Sequence, residues 1–206
     1  TSHSSSNNTP WEDPNFAAKD LPSPVLQGMW FYPLVKSIRS EQFTKIVSWF
    51  NAVDTDRSGT LEIAELGRGT YPGNIKVSNQ TALRFMRVFD SLKTGHLTIY
   101  EFVGIYRFLE ICYALFTEIP GSSHLVLQRR IVALGFPIAE QSSLILYKTF
   151  ASNDCLDLNN WVGVATFVLQ SRANYQEFVD AGMMKNETNP FDAAKIVDAM
   201  CVMIDK

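Results

Sequence analysis

Apolar residues recur at three- and four-residue intervals in several stretches of the chain, which is the spacing of amphipathic helices. One stripe precedes a polar segment at Asp54 and consists of Phe43, Ile46, Val47 and Phe50. A second stripe follows Ser78 and precedes Asp90, with Ala82, Phe85, Met86 and Phe89. A third, longer helix is predicted over about 99–116. From Ser40 onward the pattern is therefore helical, with short polar segments between the helices.

The helical spacing continues through the second half of the chain. Helices are predicted over 125–134, where Gly135 is suited to the C-cap, and over about 139–150. A short loop at 151–156 separates these from a long apolar helix, and a last apolar helix is predicted after residue 190.

The segment 54–65 has the composition of a complete EF-hand calcium loop. Gly59 at position 6 permits the sharp turn of such a loop. The predicted ligands at positions 1, 3, 5, 7, 9 and 12 are Asp54, Asp56, Ser58, the Thr60 carbonyl, Glu62 and the bidentate Glu65. Seven oxygens with a bidentate carboxylate favour Ca²⁺ over the smaller Mg²⁺. The alternative is a loop that keeps this sequence but is held metal-free by its surroundings.

A second segment, 90–101, keeps only part of the motif. Asp90 and Glu101 stand at positions 1 and 12, but Leu92 stands at position 3, where an oxygen is required. We expect this loop to bind calcium weakly or not at all and to brace the first loop.

Three further loops are predicted near 117–129, 151–160 and 179–190, and all are degenerate. In the first of these, Arg129 stands where the bidentate carboxylate belongs, so we expect no metal there. The pair Arg129 and Arg130 is interpreted as helix surface.

The composition of the chain argues against several classes of function. The chain has 206 residues and a net charge of −3 without a basic run, which argues against nucleic-acid binding. None of its apolar runs reaches the eighteen or so residues of a membrane span. The three histidines lie in the N-terminal tail and in degenerate loops, and no nucleophile or phosphate-binding motif is evident, so we expect a protein that is not an enzyme.

Residues 1–25 are rich in Ser, Asn and Pro, which predicts a disordered or extended N-terminal arm. Three widely spaced cysteines favour free thiols in a reducing compartment and a cytoplasmic protein. The chain begins with threonine, so an organellar location after removal of an N-terminal targeting segment is the alternative.

Five loop starts, near residues 54, 90, 118, 151 and 179, alternate between longer and shorter spacings, which implies helices shared between neighbouring units. This arrangement resembles the penta-EF-hand family. The segments that carry the resemblance are DTDRSGTL at 54–61, VFD at 88–90, YEFVGIY at 100–106, ALGF at 133–136 and VLQ at 168–170. The resemblance implies an all-α EF-hand superhelical domain over 26–206, with five helix-loop-helix units, long shared helices and mostly degenerate loops.

The resemblance also implies a dimer. In this family the unpaired fifth hand joins the same hand of a second chain, so a homodimer or a heterodimer is expected through the hand at 179–190. Adaptable side chains available for such an interface are Met183, Met184, Phe191, Ile196, Met200 and Met203. The alternative is that these residues close the core of their own domain.

Two functions are consistent with these features. The first is a non-enzymatic, calcium-responsive adaptor that acts through the one intact loop and binds a protein partner. The second is a structural accessory subunit of a larger assembly, in which the EF-hand scaffold is kept for its shape and calcium is static or absent. A peripheral association with membranes is left open.

Overall fold

The computed structural model describes residues 24–181. Most of them are helical, which confirms the all-α class. The elements in chain order are α1 (Pro24–Gln27), α2 (Tyr32–Val35), α3 (Ser40–Val53), α4 (Ile63–Arg68), β1 (Thr70–Tyr71), a 3₁₀ turn (Pro72–Asn74), β2 (Ile75–Lys76), α5 (Asn79–Phe89), α6 (Ile99–Glu118), α7 (His124–Ala133), α8 (Glu140–Phe150) and α9 (Leu158–Asp180). Within this part of the chain, none of the helices combines the length and the hydropathy needed to cross a membrane.

Four helices flank the first two polar segments where the sequence predicts them. Helix α3 ends one residue before Asp54, and α5 ends one residue before Asp90. The N-terminus of α5 is capped by Ser78, whose Oγ accepts a hydrogen bond from the Thr81 N–H at 3.1 Å. Helix α6 is 20 residues long, so one continuous helix leaves the second segment and leads into the third. This confirms that a long helix is shared between neighbouring units.

A short antiparallel hairpin, β1 and β2, lies between α4 and α5, and the helical pattern does not predict it. Tyr71 and Ile75 lie opposite each other in it, and both side chains are buried. Gly73 makes the turn with φ +78°, a left-handed conformation that favours glycine. The Tyr71 hydroxyl donates to the Leu66 carbonyl at 2.9 Å, so the hairpin is tied to the end of α4.

The N-terminal segment 24–38 packs between α5 and α6. Its first two residues are the last two of the predicted arm and begin α1, whereas residues 1–23 lie outside the described part. Phe31 is fully buried with its ring centroid 5.4 Å from that of Phe89. The Trp30 Nε1–H donates to the Val88 carbonyl at 3.0 Å. This segment therefore contributes the Phe31 ring to the core, with the half-exposed Trp30 ring packed against it, before the first long helix starts.

The second half of the described chain follows the predicted helices closely. Helix α7 is followed by Gly135 at φ +98°, whose N–H donates to the Val132 carbonyl at 2.9 Å, as expected of a glycine C-cap. The Trp161 indole is buried in the core, and its Nε1–H donates to the Cys112 carbonyl at 2.9 Å. Nearly all of the predicted fifth loop at 179–190, and the helix after it, lie outside the described residues.

Replacing Gly104 by alanine tests the packing of the N-terminal segment. A Cβ at this position would lie 2.6 Å from the Phe31 ring, so we expect the Gly104→Ala variant to lose about 1 to 3 kcal/mol of unfolding free energy by overpacking. The matched control is Gly163→Ala in α9, where a Cβ would meet nothing closer than 3.4 Å. There, helix propensity favours alanine by up to about 1 kcal/mol. Urea denaturation of both variants measures the difference, and equal stabilities would contradict this packing.

Candidate metal centre

The first polar segment is held between the ends of two helices. The Asp54 N–H donates to the Phe50 carbonyl at 2.8 Å, so this residue closes α3 while its side chain points away from the helix backbone. Asp54 Oδ1 accepts from the Ser58 N–H and Oδ2 from the Gly59 N–H, both at 3.0 Å. Gly59 has φ +79°, which lets the backbone turn its N–H toward the carboxylate. Asp54 is 7% exposed and therefore organises the loop from inside.

Glu65 joins the two ends of the same loop. Its Oε1 accepts from the Thr55 N–H at 2.8 Å and from the Thr55 hydroxyl at 3.1 Å. Its Oε2 accepts from the Glu62 N–H at 3.1 Å. Because Glu62 is the N-cap of α4 and Glu65 is three residues later, this carboxylate also caps the exit helix. The buried side chain is thus positioned before any cation is considered.

Three carboxylates of the loop converge on one point. Oxygens of Asp54, Asp56 and Glu65 all lie within 4.8 Å of one another. Ser58 Oγ donates to the Thr60 carbonyl oxygen at 2.9 Å. Hydrogen bonds from the side chain and backbone of Ser58 lower the pKa of Asp56 below its usual value, so this carboxylate stays ionised. A compact set of carboxylates is a hard-oxygen donor set, which suits a hard cation such as Ca²⁺.

The fourth predicted carboxylate, Glu62, lies away from this cluster. Its side chain is 60% exposed, and its Oε1 lies 3.9 Å from Nδ1 of His96 in the second loop. Position 9 of an EF-hand loop often reaches the ion through a water molecule, so this placement is compatible with the motif.

The second loop has the same backbone framework without the third carboxylate. Asp90 accepts from the Thr94 and Gly95 N–H groups at 2.9 and 2.7 Å. Glu101 accepts from the Ser91 and Thr98 N–H groups, both at 2.9 Å. The position-3 side chain, Leu92, is 63% exposed and offers no oxygen.

The two loops are joined backbone to backbone. The Leu61 N–H donates to the Leu97 carbonyl at 2.8 Å, and the Leu97 N–H donates to the Leu61 carbonyl at 3.0 Å. Both side chains are fully buried. The expected bracing of the first loop by the second therefore has a direct structural basis.

The third and fourth loops, with five and seven residues between their helices, are shorter than the first two, which have nine each. Helix α7 begins at His124, so the second half of the predicted loop 117–129 is helical. In the fourth, Ser152 and Cys155 exchange two backbone hydrogen bonds at 2.9 and 3.0 Å around a tight turn. Among residues 24–181, the acidic, histidine and cysteine side chains form no second cluster comparable with that of the first loop.

One prediction about the third loop is wrong. Arg129 is exposed, as expected of helix surface, but Arg130 is only 1% exposed. The signal for this was present in the sequence, because Arg130 shares the apolar face of α7 with Leu127 and Ile131, at i, i+3 and i+4 spacing.

Comparison with known proteins gives partial matches. No protein-family model matches the sequence. The chain is 33% identical over 96 residues to penta-EF hand domain-containing protein 2 of Dictyostelium discoideum, which covers 47% of this chain and 46% of that protein. It is 27% identical over 128 residues to human peflin, which covers 58% of this chain and 45% of peflin. Calhepatin of Lepidosiren paradoxus is 32% identical over 63 residues, or 31% of this chain and 84% of calhepatin. The chain thus matches a little under half the length of the first two relatives.

The two aspartates of the first loop are expected to differ in their effect on metal-free stability. Asp54→Ala leaves the Gly59 N–H without its buried acceptor and the Ser58 N–H with only the exposed Asp56 carboxylate, which should cost about 1 to 3 kcal/mol. Asp56 is exposed, and the Ser58 N–H that donates to it at 3.0 Å also donates to Asp54, which remains in this variant. Removal of Asp56 also relieves repulsion within the carboxylate cluster, so Asp56→Ala should leave stability unchanged or raised. Chemical denaturation in a chelator measures both. A larger loss for Asp56→Ala than for Asp54→Ala would contradict the structural role assigned to Asp54.

Proposed function

The chain belongs to the penta-EF-hand family, a family of calcium-binding proteins, and on that premise we propose that it is a non-enzymatic, calcium-responsive adaptor switched by residues 54–65. The observation that carries the proposal is the convergence of Asp54, Asp56 and Glu65 within 4.8 Å in a loop of the EF-hand pattern. Calcium is the cofactor this donor set fits. A protein partner and a cytoplasmic location are part of the same proposal.

Each predicted ligand has a role in this proposal. Asp54, Asp56 and Ser58 supply side-chain oxygens, and Thr60 supplies its carbonyl. The exposed carboxylate of Glu62 acts through a water molecule, and Glu65 supplies both carboxylate oxygens. The main chain already holds the carboxylates at positions 1 and 12, so calcium meets a partly organised site and less ordering entropy opposes binding.

The switch acts through the first pair of helices. A bound cation neutralises three neighbouring carboxylates and removes their mutual repulsion. Since Glu65 lies in the first turn of α4 and contacts Thr55 at the start of the loop, its ligation fixes α4 relative to α3. Calcium then favours whichever arrangement of these helices binds it better, and the partner-binding surface changes with that arrangement.

A structural accessory subunit is the second candidate, and one observation favours it. The second, third and fourth loops, which lie within the described residues, retain their place between helices without a complete ligand set. In that case the scaffold serves as a rigid interaction surface, and the first loop holds its ion permanently or not at all.

A calorimetric calcium titration of the metal-free chain tests the site. We expect a single site with a dissociation constant of about 10⁻⁷ to 10⁻⁵ M, the range of EF-hand sensors. Glu65→Gln should abolish it because the bidentate ligand is lost. The comparison variant is Glu101→Gln, the equivalent position of the second loop, which should keep one site, with an affinity lowered only as far as the amide weakens the hydrogen bonds that brace the first loop. Two sites in the wild-type chain would contradict the expectation of one intact loop, and loss of binding in Glu101→Gln alone would overturn the assignment to residues 54–65.

Calcium-dependent exposure of apolar surface separates the two functions. For the adaptor, the fluorescence of an apolar dye should rise when calcium is added to the wild-type chain and stay constant for Glu65→Gln. An unchanged signal in a chain that binds calcium would favour the accessory subunit instead.

A further inference from the structure

The C-terminal end of α6 is closed by a buried guanidinium group. Arg130 Nε and Nη2 donate to the Ile119 carbonyl at 3.0 and 2.8 Å, and Nη2 also donates to the Gly121 carbonyl at 3.0 Å. Its guanidinium carbon lies 4.4 Å from the centroid of the Phe116 ring and 5.9 Å from that of Trp161. Within 24–181, no carboxylate forms an ion pair with it. The cation is therefore held by carbonyl oxygens and aromatic faces alone.

Nothing about packing requires a charge here. Burial lowers the pKa of Arg130, which indicates that the surroundings oppose the charged form. Nη1 is buried without a hydrogen-bond partner. An apolar side chain would avoid both penalties, so the interactions made by the charge must offset them.

The helix caps give the third loop its register. In the first two loops, the C-cap of the entering helix is position 1, and the third residue after the next N-cap is position 12. These pairs are Asp54 with Glu65, and Asp90 with Glu101. By the same rule Ile119 is position 1 of the third loop, because it is the C-cap of α6. Ser123 is the N-cap of α7, so Val126 takes position 12. The prediction that Arg129 stands at position 12 is therefore wrong, because this loop is shorter than the first two. Apolar residues therefore stand at positions 1 and 12 of the third loop, where the first two loops have carboxylates.

Arg130 lies one helical turn after Val126 and so on the same face of α7. Its side chain reaches from the exit helix back to Ile119, the residue at position 1. In the first loop, Glu65 of the exit helix likewise reaches back to the start of its loop. In the third loop the side chain that reaches back is a cation instead of a carboxylate, and backbone carbonyl oxygens are its ligands.

We propose that the Arg130 guanidinium is an internal cation that replaces calcium in the third hand. Carbonyl oxygens are common ligands of calcium, and the last carbonyls of a helix carry partial negative charge that favours a cation. The Phe116 ring face adds a cation–π attraction. Because the cation is part of the chain, it joins α6 to α7 at any calcium concentration. This goes beyond the function proposed for residues 54–65 and does not depend on metal binding there.

Hydrogen exchange of the full-length chain, with and without calcium, tests the proposal without any variant. Backbone amides around the α6–α7 junction, 117–127, should be equally protected in calcium and in chelator. Protection that requires calcium would overturn the proposal, whatever the titration of the first loop shows.

Substitution of Arg130 separates a bound charge from simple packing. Arg130→Met keeps an apolar stem of similar length but leaves the Ile119 and Gly121 carbonyls without donors, so exchange at 117–127 should accelerate at least about tenfold, with a lower melting temperature. Arg130→Lys keeps a cation and should retain more protection than methionine. The matched control is Arg129→Met, on the exposed side of α7, which should behave as wild type.

The opposite ranking would reject the internal cation. If Arg130 only fills space, methionine should match or exceed lysine in stability, because removing a buried charge is often favourable. Calcium binding by the first loop provides an independent check of folding in each variant and should remain unchanged.

Discussion

The first two loops and the helices that flank them depend on one constraint, the pair of backbone hydrogen bonds between Leu61 and Leu97. They place the first two loops side by side, and the fully buried side chains tie that contact to the core between the helices. In the second loop, Asp90, Gly95 and Glu101 shape the backbone that presents Leu97. The second loop therefore supports the first, although Leu92 at position 3 offers no ligand oxygen.

The described loops are held in shape by three chemical means. The first two use carboxylates at both anchoring positions, and only the first adds Asp56, which completes a cluster suited to a cation. The third uses Arg130 on the carbonyls at the end of α6. The fourth closes on itself through Ser152 and Cys155. Helix ends leave backbone groups without intrahelical partners, and in the first three loops a side chain of the exit helix supplies some of those partners.

Helices and loop boundaries could be predicted because their signals are local. The stripe from Phe43 to Phe50, the cap at Ser78 and the glycine after α7 each act over a few residues, and the structure has them where the sequence places them. The sequence does not predict the hairpin at 70–76, because two-residue strands have no measurable periodicity. The hairpin forms because Tyr71 and Ile75 are buried against other elements. Arg130 was misplaced because arginine is rarely fully buried, so residue type outweighed its position on the apolar face of α7.

By itself, the sequence determined which atoms the first loop offers to a cation, because six ligand positions and a glycine lie within twelve consecutive residues. It also determined the helical class, through the spacing of apolar residues. Only the tertiary structure decided which carboxylates meet and which, like Glu62, lie outside the cluster. It alone decided that the guanidinium of α7 closes the end of α6. The reason is physical: those outcomes depend on contacts between separate elements, where burial and partner geometry, rather than neighbours along the chain, set the free energy.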